Sequence, residues 1–467
     1  MANNGGGTSK LETGGGQTRR LAKFAHSLRY DELPAEVREI AKSCILDTLG
    51  CALLCSTYPS GRIVSKYVKL TAGRAESTVI GKGFKVPAGL AALANGTMAH
   101  GFEADDVYIP AIHHPGAVVV PAALATAERE GTSGRAFIVA VVAGYEVMNR
   151  IGEAATESHL MRGFFPTGTN GTFGAAAAAG NLIRLNEDQM TNALGIAGSQ
   201  SSGVFEGIKE GRMTKRFLAG TAAQRGLMAA DLAKLGLTGP TTVVEGDWGY
   251  LRSHSDRVDF SRLTENLGRS YRIMETTFKP YPCCKGIHAA IDGVLELNRE
   301  YHFNPGDVEE IIIGGYEKLV KMHDIYEPAT PMAAQFSIPY TVSVALLKGS
   351  PGVEAFTDRS IRDRKVLDFA RKVRTVVDPE VVPYFPENEP SKVTVRLKNT
   401  KTYSKTVIHS KGTPENPMDG IELEEKFRAF ASLVISKRRV ERTMQLIRQL
   451  DTLNKVAQLT SLLRKKA

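Results

Sequence analysis

From Thr18 to about Tyr271 the sequence repeats helical patterns and shows almost no strand-like alternation. Residues 34–54 set the type. Pro34 suits a first helical turn, and apolar residues recur at Val37, Ile40, Ala41, Cys44, Ile45 and Leu49, one face of a helix. Residues 86–99 are rich in alanine, which lets helices approach closely. Residues 132–153 open on a Thr/Ser cap signal and are apolar nearly all round, as expected of a central helix. Helices are also predicted over 171–185, 187–195 and 219–235. A run of this length without strands predicts an all-helical domain.

The texture changes near Tyr271. Ile287, Ile291, Val294 and Leu295 form one helical face, and residues 308–314 read as a strand. A helix is expected over 332–347. Residues 392–397 and 402–409 alternate around Asn399-Thr-Lys, a hairpin. Helix returns from Leu423 to the end, and this last part is expected to pack back on the first domain. The predicted fold is therefore mainly α: a large discontinuous helical domain, residues 19–270 and 412–467, with a smaller α/β lid domain, residues 271–411. Residues 1–18, glycine-rich and without an apolar centre, read as a disordered tail.

Between the apolar segments 88–100 and 117–127 lies a polar island. Glu103, Asp105, Asp106, His113 and His114 all fall within a dozen residues. Ionised groups beside a core need partners or a purpose. Two further clusters stand out. One is Thr214-Lys215-Arg216, approached through Gly203, Gly207 and Gly211. The other is 279–285, with Lys279, Tyr281, Cys283, Cys284 and Lys285, and His288 close by.

Carboxylates, imidazoles and lysines suit proton removal next to a carboxylate. Histidine supplies a base near neutral pH, and fixed lysine or arginine charge stabilises the enolate-like intermediate. Such chemistry needs no cofactor and no metal. The patterns for other chemistries are missing: no G-x-S-x-G elbow, no dinucleotide-binding glycine turn, no Walker loop. Five cysteines make no disulfide framework and no zinc or iron–sulfur spacing, which points to a reducing compartment. Cys44, Cys51 and Cys55 read as core. The formal charge of +9 suits small anionic substrates. Basic runs interleaved with aromatics are lacking, so nucleic acid is not an expected partner. Nor is a membrane, since no apolar run has the length of a span and residues 136–143 read as a buried helix.

In this order the motifs resemble the MmgE/PrpD family. They are Ile45-Leu-Asp-Thr-Leu-Gly50, Asn95-Gly-Thr-Met-Ala-His100, the 103–116 stretch, Gly171-Thr-Phe-Gly-Ala-Ala-Ala, Met213-Thr-Lys-Arg, Lys279-Pro-Tyr-Pro-Cys-Cys and Gly412-Thr-Pro-Glu-Asn-Pro-Met. The resemblance covers nearly the whole chain. It implies a homodimer and a cofactor-free site between the domains, open to a small carboxylic acid. It places Glu103 where decarboxylase members carry an acid, and Lys215 and Lys279 on substrate-binding lysines. Tyr340 falls on an active-site tyrosine. The loop histidine falls on His114 when anchored on Pro115-Gly-Ala-Val, and on His113 when anchored on Asp105-Asp106.

One departure bears on the chemistry. Where many members read Gly-Phe-His-Pro-Thr, this chain reads Gly163-Phe-Phe-Pro-Thr167, so Phe165 replaces a histidine. The resulting expectation is a cofactor-independent lyase most like a 2-methylcitrate-type dehydratase. In it His114 or His113 is the acid/base, Glu103 or Asp105 orients it, and Lys215, Lys279 and Arg216 bind carboxylates, with Tyr281 and Tyr340 as further substrate contacts. A cis-aconitate-type decarboxylase, an epimerase and a catalytically degenerate carboxylate-binding protein are the alternatives. The expected location is cytoplasmic, or an organelle lumen in a eukaryote.

Overall fold

A computed structural model describes residues 16–71, 73–385 and 387–465. The glycine-rich tail lies outside these as far as residue 15. Its assigned end is corrected by two residues: Gln17 and Thr18 open the Gln17–Ser27 helix. Thr18 is buried there because its amide and hydroxyl donate to Glu245, at 3.1 and 2.5 Å.

The larger body is helical, as predicted. Pro34 precedes the Ala35–Cys55 helix, and Ser133 caps Gly134–Met161 through the Ala136 amide. The latter is almost wholly buried and packs along Pro166–Leu182. A Cβ on Gly144 would meet the Gly174 carbonyl at 2.8 Å, and one on Gly174 would meet the Gly144 carbonyl at 2.8 Å. The two backbones therefore touch where both lack a side chain. Ala88–Ala99 packs in the same close manner on Thr214–Lys234. One small hairpin interrupts the helices, Ser77–Thr78 against Lys85–Val86, which the sequence pattern did not disclose. No single described helix is long and apolar enough to cross a membrane.

The smaller body contains a four-stranded sheet. Val308–Gly315 is central, parallel to Val373–Val377 on one side and antiparallel to Ser391–Leu397 on the other, which continues into Thr402–Val407. The hairpin lies where alternation placed it. The helix expected over 332–347 is two helices, Pro331–Gln335 and Ile338–Lys348. Ser337 separates them by accepting from the Tyr340 amide, a fresh N-cap.

The chain's last helices rejoin the helical body. Gly420–Ala431 packs on Ala35–Cys55. At their contact Lys426 Nζ lies 2.5 Å from Asp47 Oδ1 and donates to the Ala104 carbonyl at 2.6 Å. Both side chains are buried. Lys426→Ala leaves Asp47 without its counter-charge and should cost about 3 kcal/mol of unfolding free energy, read by urea denaturation. A loss below about 1 kcal/mol would show that the pair does not anchor the C-terminal helix.

Candidate active site

The polar island is the connection between Ala88–Ala99 and Gly116–Glu130. It is not a solvated loop: Glu103, Asp105, Asp106 and His113 are all buried. Two bridges shape it. Val107 pairs with Thr277, and Tyr108 pairs with His113. Glu103 and Ile112 both take the left-handed backbone conformation, with φ of 54° and 51°. Such values are uncommon for non-glycine residues and cluster at functional sites.

Four successive carbonyls of this segment each accept from a different side chain. Arg216 Nε donates to Gly101 O at 2.7 Å, and Gln335 Nε2 to Phe102 O at 2.8 Å. Lys279 Nζ donates to Glu103 O at 3.2 Å, and Lys426 Nζ to Ala104 O at 2.6 Å. The donors come from both bodies and from the C-terminal helix.

The carboxylates and imidazoles then sort themselves. Glu103 forms an ion pair with Lys215, and its other oxygen is 3.6 Å from Lys279 Nζ. Burial raises the Glu103 pKa, but the two ammonium groups outweigh it and hold the carboxyl far below its usual range. Burial likewise pulls Lys279 down, and Glu103 and Asp105 more than compensate, leaving it raised. Asp105 sits between two imidazoles, 2.7 Å from His100 Nδ1 and 3.3 Å from His114 Nδ1. His114 Nδ1 also lies 2.7 Å from the Asp106 carbonyl, which can only accept. In the neutral ring Nδ1 of His114 therefore carries the proton, and Nε2 is the nitrogen with the free lone pair. The same logic applies to His100, whose Nε2 is buried without a partner among the described residues. Burial lowers His100 to about 4, so it is neutral at pH 7.

The structure separates the two adjacent histidines. His114 joins this cluster, its side chain 12% exposed. His113 points elsewhere. It is fully buried, Nε2 donates to Asn149 Oδ1 at 2.9 Å, and Nδ1 accepts from Asn170 at 3.4 Å. Burial lowers it to about 3. Glu103, Asp105, Lys215, Lys279 and Arg216 are brought together with His114. Tyr281 and Tyr340 are not. Tyr281 donates to Asp292 at 2.8 Å, and Tyr340 donates to the Ala355 carbonyl at 2.5 Å. His100 was missed as a site residue, although its motif was noticed. Its place, one residue past an alanine-rich helix and five before Asp105, was the available signal. Phe165 is buried against His100, ring centroids 5.8 Å apart, and gives the cluster an apolar wall.

His100, Asp105 and His114 offer ligand atoms all within 4.8 Å of one another, a set of two imidazoles and one carboxylate. Both Nδ1 atoms are engaged by Asp105 and the Asp106 carbonyl, which leaves the Nε2 atoms as the nitrogens open to a ligand.

Comparison with known proteins shows the family. Residues 19–263 match the MmgE/PrpD N-terminal domain, and residues 281–452 match the MmgE/PrpD C-terminal domain. The chain belongs to the MmgE/PrpD family, whose members process carboxylic acids. It is 30% identical to human cis-aconitate decarboxylase, over 96% of this chain and 94% of the human protein. It is 27% identical to the cis-aconitate decarboxylase of Aspergillus terreus strain NIH 2624, over 96% of each. It is 23% identical to the 2-methylcitrate dehydratase of Salmonella typhimurium, over 86% of this chain and 87% of that protein.

Asp106 has the opposite environment to Asp105. It faces the Tyr145 hydroxyl at 2.6 Å and the Gly116 amide at 3.0 Å, and makes no ion pair among the described residues. Burial and then Asp47 push it to about 8. Its folded pKa thus exceeds the unfolded value of about 3.9, so its stabilising contribution is full below pH 4 and lost as pH rises to 8. The stability of wild type relative to Asp106→Asn should fall steadily between pH 4 and 8 and level off above. A pH-independent difference in urea unfolding would contradict this.

Proposed function

We propose that this protein is a cofactor-independent lyase acting on a small di- or tricarboxylic acid by proton transfer at a carbon next to a carboxylate. The observation that carries this reading is the pairing of two Nδ1-protonated imidazoles on Asp105 with two buried lysines around Glu103. His114 Nε2 is the base that takes the proton, and the imidazolium formed returns it to the leaving group or to the carbanion. Asp105 fixes the tautomer and stabilises that imidazolium, and His100 is its second partner. Lys215 and Lys279 stabilise the charge that develops on the substrate carboxylate as it becomes an enediolate.

Dehydration and decarboxylation both begin from this arrangement. Dehydration was the first expectation from the sequence. Similarity to the human and Aspergillus decarboxylases spans more of the chain at higher identity, and this supports the decarboxylase reading. Phe165 supports a substrate with one anionic group fewer than a tricarboxylate, since a phenyl ring neither binds a carboxylate nor moves a proton.

Proton NMR in deuterium oxide with 2-methylcitrate, citrate, cis-aconitate and related dicarboxylates distinguishes the outcomes. A vinylic product with loss of water identifies a dehydratase, and itaconate formation identifies a decarboxylase. Deuterium exchange without net change identifies an epimerase. No reaction with any of them, from folded protein that still binds carboxylates, would overturn the lyase proposal. On the substrate so found, Lys279→Ala and His114→Asn should each lower turnover at least about 100-fold with the circular dichroism spectrum retained. Phe165→His should shift preference towards more highly charged acids, read as a higher kcat/KM for the tricarboxylate relative to the dicarboxylate.

A homodimer belongs to the same proposal. Phe217, Met228 and Leu235 are exposed on one face of Thr214–Lys234 and its cap, and Trp248 is fully exposed. A second copy is the occupant such a stripe suits. Sedimentation should give twice the chain mass, and Phe217→Asp should shift it towards the monomer.

A further inference from the structure

Cys284 and His323 take no part in the chemistry above, yet they lie one residue layer behind it. Cys284 Sγ is 3.8 Å from His323 Nε2. The other ring nitrogen, Nδ1, is 2.8 Å from the Phe336 carbonyl. That carbonyl only accepts, so Nδ1 holds a proton and Nε2 is the nitrogen that shares one with sulfur. The Phe336 ring lies between the two sites. Its centroid is 5.8 Å from the His323 ring and 5.7 Å from Lys215 Nζ. The Cys284 amide donates to the Gln335 carbonyl at 2.9 Å, and the Gln335 side chain holds Phe102 O.

The surroundings of the sulfur are mixed in charge. Lys279 and Lys285 favour a thiolate, and Glu389 and Glu103 oppose it. Tyr316 and Cys283, also close by, are held in their neutral forms by burial first of all. Burial disfavours the Cys284 thiolate, but His323 outweighs it and brings the thiol below its ordinary value. The imidazole moves the complementary way. Burial lowers it, Cys284 raises it, and the net direction is up. The other four cysteines are buried, with thiols raised by desolvation. Cys284 alone among the five is partly accessible.

We propose that Cys284 and His323 form a thiolate–imidazolium pair, a covalent modification site at which the sulfur is alkylated by small soft electrophiles of the α,β-unsaturated carbonyl class. In the step, a sulfur lone pair forms the S–C bond at the β-carbon. The π pair moves towards the carbonyl, and the α-carbon takes the proton from His323 Nε2. A thioether and a neutral imidazole result, with no oxidant or reductant consumed. Nucleophilic cysteines follow this pattern: a thiolate kept by an adjacent imidazolium, in a place reagents can reach.

The test is labelling of the folded, full-length protein with N-ethylmaleimide between pH 5.5 and 9, each cysteine followed by peptide mass spectrometry. Cys284 should label first, and Cys284→Ser should remove that first adduct. Its rate should stay near its plateau well below the ordinary thiol pKa of about 8.5. His323→Gln should slow it about tenfold at pH 6.5 and move the inflection up towards 8.5, the gain in thiolate being partly offset by the lower nucleophilicity of a low-pKa sulfur. A Cys284 rate rising tenfold per pH unit up to 8.5 would overturn the proposal. So would labelling spread over all five cysteines, or a His323→Gln rate equal to wild type. Should that variant not fold, the wild-type pH profile decides alone.

Discussion

The site depends on how the backbone of residues 101–104 is satisfied. Four consecutive carbonyls run through the interior outside any helix or strand, and each one left unpaired would cost about 1–3 kcal/mol. Arg216, Gln335, Lys279 and Lys426 supply the four donors. They come from a helix of the large body, from the smaller body, from the segment joining the two, and from the last part of the chain. The segment cannot take this path unless all of them are in place. That is why residues so far apart in sequence converge: the fold closes around the loop, and the loop presents Glu103, Asp105 and His114.

The same convergence gives like side chains unlike chemistry. Asp105 and Asp106 are neighbours in sequence and are both buried. Asp105 meets two imidazoles and stays ionised, whereas Asp106 meets a phenol and an amide and holds its proton to about pH 8. One is a fixed negative charge that orients bases. The other is a neutral strut at the start of Gly116–Glu130. Gly116 is part of that arrangement, because a Cβ there would lie 2.6 Å from Asp106 Oδ1 and 2.5 Å from Thr48 Oγ1. With Glu103 and Asp105 ionised, Lys215 and Lys279 are balanced before substrate arrives.

The helical body was legible because its apolar spacing extends over many turns, and period is the most robust signal a sequence carries. Strand 373–377 was not, since so short a strand beside a short helix gives too little pattern, and the pairing of Val373 with Ile311 joins positions remote in sequence. The polar island was legible as chemistry but not as geometry. His113 and His114 are equivalent on paper. Only the Tyr108–His113 bridge and the left-handed turn at Ile112 send one imidazole to Asn149 and the other to Asp105. Tyr281 and Tyr340 were placed by motif position, which fixes the Cα but not where the hydroxyl ends. His100 went unread as a site residue because a histidine closing an alanine-rich helix looks like an ordinary cap.

Phe165 ties these points together. A histidine in its place would lie against His100, and two imidazoles that close compete for one proton. The phenyl ring removes the competitor and adds an apolar neighbour to a His100 whose pKa burial lowers first of all. The Asp105–imidazole pair does not need a polar group at 165 to hold its tautomers, since every hydrogen bond that sets them comes from Asp105 or the Asp106 carbonyl. Proton removal and carboxylate recognition are thus separable here. On the proposed reading the groups for the first lie apart from residue 165, and the phenyl ring there bears on the number of charges the pocket would accommodate. In that proposal a change of acid leaves the reaction type intact, because Phe165 lies on the wall of the site, against His100, and not among the groups assigned to the proton.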